Sequence, residues 1–230
     1  MSAMIIQVQT SLPAHVHSQS EVTAALAPRL APTDGTRAVL ERLHGNSKIE
    51  QRHFVLPISD YTNIDSFTQA NTLFAEHALT LVEDCTRRAL DETGLAADEV
   101  DHLFFTTVTG VGAPALDVLL AARMGFRPDI KRIPSFGLGC AGGAAGIARV
   151  ADYLLGDPTA VALVVSVELC SLTIQWEDRS MANFVGTGIF GDGAAAVVMV
   201  GSQHPKAMKG ITVKASRSTL YSDTESLIGW

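Results

Sequence analysis

A chain of 230 residues, 47% of them hydrophobic and 18% charged, can bury a sizeable core as one large domain or two modest ones. Its formal net charge of −7 disfavours non-specific binding to nucleic acid or to an anionic membrane, and no apolar run approaches the roughly 18 residues that span a bilayer. Cys85, Cys140 and Cys170 are widely spaced and form no C-x-x-C, which argues against a disulfide framework or structural zinc and for a reducing compartment. With no signal-peptide pattern in MSAMIIQVQT, the expected location is the cytoplasm.

In chain order, residues 4–9 form a short β-prone run before Pro13. Thr33 and Asp34 can cap a helix through about Leu43, and residues 49–56 read as a strand. The polar stretch 57–70 reads as an ordered loop. Residues 71–93 are the strongest helix, because Ala78, Val82, Cys85 and Ala89 repeat at helical spacing and Gly94 ends the pattern. A strand at 103–108, a helix at 115–124 stopped by Gly125, and a helix at 141–155 broken by Gly156-Asp157-Pro158 follow. VALVVSV at 161–167 is nearly all apolar, as in a strand covered on both faces; 194–200 is a second such strand and 211–216 a third candidate. Alternating strands and helices of these lengths predict an α/β fold with a largely parallel sheet. No composition shift divides the chain.

The segment SFGLGCAGGAAGIARV at 135–150 contains G-x-G-x-x-G, the dinucleotide-binding pattern, with a cysteine inside it. That pattern needs an acidic residue about 20 positions further on, whereas Glu168 lies well beyond, and a pyrophosphate loop has no use for a thiol. A turn presenting a nucleophile fits better. Cys140 falls where a strand turns into a helix, in what reads as the helix's first turn, where unpaired backbone N–H groups and the positive end of the macrodipole favour negative charge. Gly139 permits the tight turn, and Gly142, Gly143 and Gly146 would let the helix pack closely. A buried apolar role is the ordinary fate of a cysteine, and Cys85, on a helix stripe, reads that way.

These residues resemble the type III polyketide synthases, the chalcone- and alkylpyrone-synthase-like branch of the thiolase superfamily. The resemblance rests on GCAGGAAG at 139–146, SVELCSLT at 166–173 and GTGIFGDGAAAVV at 186–198, with TTVTGVGAP at 106–114 and MGFRPDIKR at 124–132, and runs from about Gly45 to the chain end. It implies a thiolase-like α/β fold, with 1–230 as the N-terminal half of a duplicated βαβαβαββ core. It also implies that Cys140 takes an acyl group from a CoA thioester and that Phe190 is the gatekeeper between CoA tunnel and cavity. Thr109, Ala113, Cys170 and Thr173 would line that cavity or its dimer edge. Arg42 would contact CoA, helped by the positive charge of Arg37, Lys48 and Arg52 against Glu41 and Glu50.

The implied reaction condenses an acyl-CoA starter with malonyl-CoA to a small polyketide, with CoA thioesters as substrates and no metal or redox cofactor, in a homodimer. The family's catalytic His and Asn belong to the second half, and none of the seven histidines here lies in a matching motif. His15 and His17 share a strand face, but two ligands without carboxylates do not make a metal site. Glu168 is expected to orient groups beneath the site, and Asp192 to tie the Gly191–Gly193 turn. Two alternatives stay open: a ketoacyl-acyl carrier protein synthase or hydroxymethylglutaryl-CoA synthase, and a non-catalytic, dimerising half-fold.

Overall fold

A computed structural model describes residues 2–224; Met1 and 225–230, the ends of the expected 1–230 domain, lie outside the described residues. Eight strands and six α-helices follow in order: β1 Ala3–Ser11, β2 His15–Ser18, α1 Gln19–Leu30, α2 Asp34–Asn46, β3 Gln51–Phe54, α3 Phe67–Thr93 and β4 His102–Thr107. They continue with α4 Leu116–Met124, β5 Lys131–Phe136, α5 Gly142–Gly156, β6 Val161–Leu169, α6 Met181–Ile189, β7 Asp192–Gly201 and β8 Ile211–Val213.

Six strands form one sheet in the order β5-β4-β6-β7-β1-β8, and β2 pairs with β3 separately. Only β4–β5 and β4–β6 are parallel; β6–β7, β7–β1 and β1–β8 are antiparallel. The expectation of a largely parallel sheet is therefore corrected to a mixed one. The physical reason is α6, which packs on α1 and α2 instead of crossing the sheet, so β7 returns antiparallel to β6.

Period-2 alternation divides the central strands between two cores. Leu103, Phe105, Leu163 and Val165 join the α3 side, where Ala78, Val82, Cys85 and Ala89 are fully buried as their spacing predicts. Phe104, Ala162 and Val164 face α5 through Val150, Ala151 and Leu154.

Helix α3 begins before the expected start, because the Ser66 side chain caps Gln69 N–H, and a 3-10 turn at Ile58–Asn63 together with the first turn of α3 occupies most of the supposed loop. The strand expected at 49–56 is only the four residues of β3, and β8 is three residues long.

Helix α5 lies so close to the sheet that a Cβ on Gly146 would sit 2.7 Å from Val164 Cγ1 and 2.8 Å from Phe104 Cδ1. Gly143, by contrast, faces open space, so close packing does not explain it. Gly146→Ala should therefore destabilise the fold by about 1–3 kcal/mol through overpacking, despite the ~1 kcal/mol gain in helix propensity. Urea midpoints of the two proteins measure this; an unchanged or higher midpoint would show that α5 can lift off the sheet freely.

Candidate active site

The sheet brings the motifs to one end. Strands β4, β5 and β6 run parallel, so their C-terminal ends, followed by Thr109, Cys140 and Cys170, lie side by side. Strand β7 runs the other way and begins there, with Asp192 opposite Leu169 and Gly193 opposite Glu168, which delivers Phe190 to the same edge. Open α/β sheets place ligand sites in this position.

Cys140 is exposed in a 3-10 turn, Gly139–Ala141, immediately before α5, whose N-cap is Ala141. It thus precedes the first turn of the helix instead of lying within it. Gly137 and Gly139 hold φ of +88° and +54°, the left-handed backbone that glycine adopts without strain, and this turns the chain from β5 into α5.

The other thiols are disabled. Cys85 is buried in the α3 stripe, and burial pushes its thiol up to about 12. Burial likewise raises Cys170 to about 12, reinforced by the charges of Asp192 and Glu168 and by Cys140 itself, which places Cys170 within electrostatic reach of the exposed thiol.

Glu168 fastens the loop after β4. Its carboxylate accepts from the Val108 N–H at 3.0 Å, the Thr109 N–H at 3.1 Å and the Thr109 hydroxyl at 2.7 Å. The Thr109 oxygen in turn accepts from Leu169 N–H at 2.9 Å, so this side chain is committed to the scaffold. Burial raises the Glu168 pKa against these hydrogen bonds. Its expected orienting role takes this form.

Beneath the edge lies a buried polar layer that the motifs did not reveal. Asp192 accepts from Val55 N–H at 2.9 Å, Ser171 N–H at 2.8 Å and Ser171 Oγ–H at 2.5 Å. It therefore ties β3's exit to the segment after β6, a longer reach than the local turn expected of it. Because the Ser171 hydroxyl donates to Asp192, the Tyr61 hydroxyl 2.7 Å away donates to Ser171. His44 sits between Thr23 Oγ1 (2.8 Å from Nδ1) and the Phe184 carbonyl (3.2 Å from Nε2), and Gln19 Nε2 donates to the Gly188 carbonyl at 2.7 Å.

Arg52, whose charge the sequence groups with that around Arg42, is buried, and its Nη1 donates to the Phe190 carbonyl at 2.8 Å. The alternation of β3 turns it inward: Arg52 and Phe54 share the buried face while Gln51 is exposed.

Two of these groups oppose each other in acid. Burial raises Asp192 to about 6, so from its usual 3.8 up to about 6 the fold holds a proton the unfolded chain has lost, and raising pH costs stability. Burial, then Arg52, lowers His44 to about 4, so from there to 6.5 the unfolded chain holds the extra proton, and raising pH adds stability. Their slopes offset in the wild type. His44→Gln removes the rising contribution, so the stability of the variant relative to the wild type should fall as pH rises from about 4 to about 6. Denaturation midpoints across that window decide it; parallel profiles for the two proteins would mean His44 does not titrate as the burial argument requires.

Arg42 is exposed on α2, as is Arg37, and neither forms an ion pair among the described residues. Phe190 is 46% exposed at the α6–β7 junction. Ala113 is exposed on the loop before α4, and Thr173 is exposed with its hydroxyl donating to the Cys170 carbonyl at 2.8 Å. A cavity of about 140 Å³ lies between α3, β4 and β5, lined by Phe74, Phe105, Gly110, Leu116 and Phe136 among others. The cavity residues expected from sequence do not line it. No cluster of three or more metal-ligating side chains occurs among the described residues, and no described helix is long and apolar enough to cross a membrane.

Residues 1–204 match the chalcone and stilbene synthases, N-terminal domain, and the chain belongs to this family. The match begins well before Gly45, where the motif resemblance began, and sets aside the ketoacyl-acyl carrier protein and hydroxymethylglutaryl-CoA synthase alternatives. The chain is 48% identical over 227 residues, 98% of its length, to a 1,3,6,8-tetrahydroxynaphthalene synthase of Streptomyces peucetius subsp. caesius, of which it covers 60%. It is 34% identical to a putative chalcone synthase of Bacillus subtilis (strain 168), with 99% of this chain and 65% of that protein covered. Among solved structures, the 1,3,6,8-tetrahydroxynaphthalene synthase of Streptomyces coelicolor A3(2), a bacterial type III polyketide synthase, superimposes with a TM-score of 0.82 at 32% identity, covering 87% of this chain and 57% of that one. The fold is accordingly the thiolase-like α/β fold of type III polyketide synthases. The chain spans about 60% of the length of the first of these relatives.

Proposed function

We propose that the protein of which this chain forms the N-terminal domain is a type III polyketide synthase that extends an acyl-CoA starter with malonyl-CoA. The observation that carries this is the contrast among the thiols: Cys140 is exposed at the strand-end edge, while Cys85 and Cys170 are raised to about 12. Cys140 sulfur attacks the starter's thioester carbon, a new C–S bond forms, and CoA leaves as its thiol. Malonyl-CoA then loses carbon dioxide, and its enolate attacks the Cys140-bound acyl carbon, releasing the sulfur. The His and Asn that stabilise the enolate in the family reading come from the second half of the fold, in an oxyanion-hole role. This chemistry calls on no metal or redox cofactor. Arg42 is assigned to the CoA diphosphate and Phe190 to the aperture. A homodimer is part of the proposal, supported by the exposed Ile133 and Phe136 of edge strand β5. So is a cytoplasmic location, supported by the free thiols.

The test is the intact mass of the complete natural protein before and after incubation with a long-chain acyl-CoA. An acyl increment mapping to the Cys140 peptide is the expected result. Absence of any adduct on a folded protein would leave the non-catalytic reading standing.

A further inference from the structure

The carbonyls at the end of α6 are held by side chains from elsewhere. A helix leaves its last four C=O groups without helical partners. Here Gln19 on α1 donates to the Gly188 carbonyl at 2.7 Å and Arg52 on β3 donates to the Phe190 carbonyl at 2.8 Å, while His44 on α2 meets the Phe184 carbonyl at 3.2 Å one turn earlier in the helix. Phe190 N–H closes the junction on the Gly186 carbonyl at 3.2 Å.

Phe190 is 46% exposed, so packing fixes its ring only in part, and the course of its backbone sets where the ring starts. Arg52 is the strongest of the anchors. It is 5% exposed, it stands at the negative end of α6, and its bond to the carbonyl is charge-assisted. Its Nε and Nη2 are buried with no hydrogen-bond partner among the described residues, so the Phe190 carbonyl receives the only protein hydrogen bond this guanidinium donates there. Asp192 offsets part of the Arg52 charge through space and the Phe54 ring lies 5.3 Å from its Cζ, but the directional contact, the one that fixes an atom in place, goes to the Phe190 carbonyl.

We propose that Arg52 is the positioning residue for the aperture: by holding the Phe190 carbonyl from beneath, it sets how far the Phe190 ring projects at the site edge and so which acyl starters pass. The part concerning starters rests on the acyl-transfer reading above; the part concerning the ring does not. Arg52 touches no reacting atom and acts only through the Phe190 backbone.

The experiment places 4-fluorophenylalanine at position 190 in the complete natural protein and follows its fluorine resonance. A single resonance in the wild type should broaden or split in Arg52→Met and shift in Arg52→Lys, which keeps the charge but loses the fork. The same label at Phe126, at the far end of α4, should not change. In parallel, acylation of Cys140 is compared for a short and a long acyl-CoA. Arg52→Lys should alter the ratio of the two kcat/KM values on the order of fivefold, and that change should vanish in a Phe190→Ala background, as coupled residues require. An unchanged resonance at position 190 in a folded Arg52→Lys protein overturns the proposal, as does a selectivity change that survives Phe190→Ala. Should Arg52→Met fail to fold, Arg52→Lys carries both measurements. Should wild-type Cys140 take no acyl group, the acyl-transfer reading fails and the fluorine result alone decides the positioning role.

Discussion

Replacing Cys140 with alanine should abolish acyl-enzyme formation, a loss of about 10⁴-fold or more on the scale of nucleophile removals in other enzymes. The size of the effect depends on whether another thiol can substitute. With a pKa of about 12, Cys85 and Cys170 would each be ionised to only about one part in ten thousand near pH 8, and the thiolate is the attacking species. Cys85 is also sealed inside the α3 stripe. Cys170 lies within electrostatic reach of Cys140, so proximity alone does not exclude it, but burial and two neighbouring carboxylates hold it protonated. Iodoacetamide at limiting dose should accordingly label Cys140 alone in the wild type and nothing in Cys140→Ala. Mass mapping after acyl-CoA treatment gives the direct answer. An adduct that moved to Cys170 in the variant would show that the edge holds two usable thiols, and the assignment of Cys140 as sole nucleophile would fail.

The sequence made this edge legible because the features that build it are local. Positive-φ glycines around Cys140, the apolar run that opens β6 and the stripe of α3 are each set by neighbours in the chain, and the structure has them where their spacing put them. No helix is expected over α1, although Ser18 and Glu21 form a capping box at its start; Pro28 stands in its last turn. Helix α6 was overlooked because nine residues containing Gly186 and Gly188 show no helical propensity worth the name. That omission also hid the reversal of β7. The buried layer was invisible for a different reason. Gln19, His44, Arg52, Tyr61, Ser171 and Asp192 come from distant parts of the chain, and only the packing of α1, α2 and β3 under α6 and β7 brings them together. Arg52 is grouped with the positive charge near Arg42 by its sign alone, whereas the two-residue period of β3 turns it into the core.

Asp192→Ala should cost about 3–5 kcal/mol of stability, the range for removing one partner of a buried charged network. Two effects compete. Alanine relieves the burial of a carboxylate whose pKa is already raised to about 6. Against that, it strands the Val55 and Ser171 N–H groups and the Ser171 hydroxyl, and it removes the carboxylate that offsets the charge of buried Arg52. Each stranded donor costs about 1–3 kcal/mol, so the loss dominates. The two effects separate with pH. Near pH 7 the wild type bears the full cost of an ionised buried carboxylate; near pH 5 the folded protein is relieved of it by protonation, a change on the order of 1 kcal/mol or more that the variant cannot share. The gap between the two urea midpoints should therefore widen as pH is lowered from about 7 to about 5. A gap that narrowed instead would mean that Asp192 is held ionised by Arg52 more strongly than burial opposes it. In that case the Arg52 guanidinium would be committed to Asp192 as well as to Phe190, and an Asp192 variant should then disturb the Phe190 ring as an Arg52 variant does.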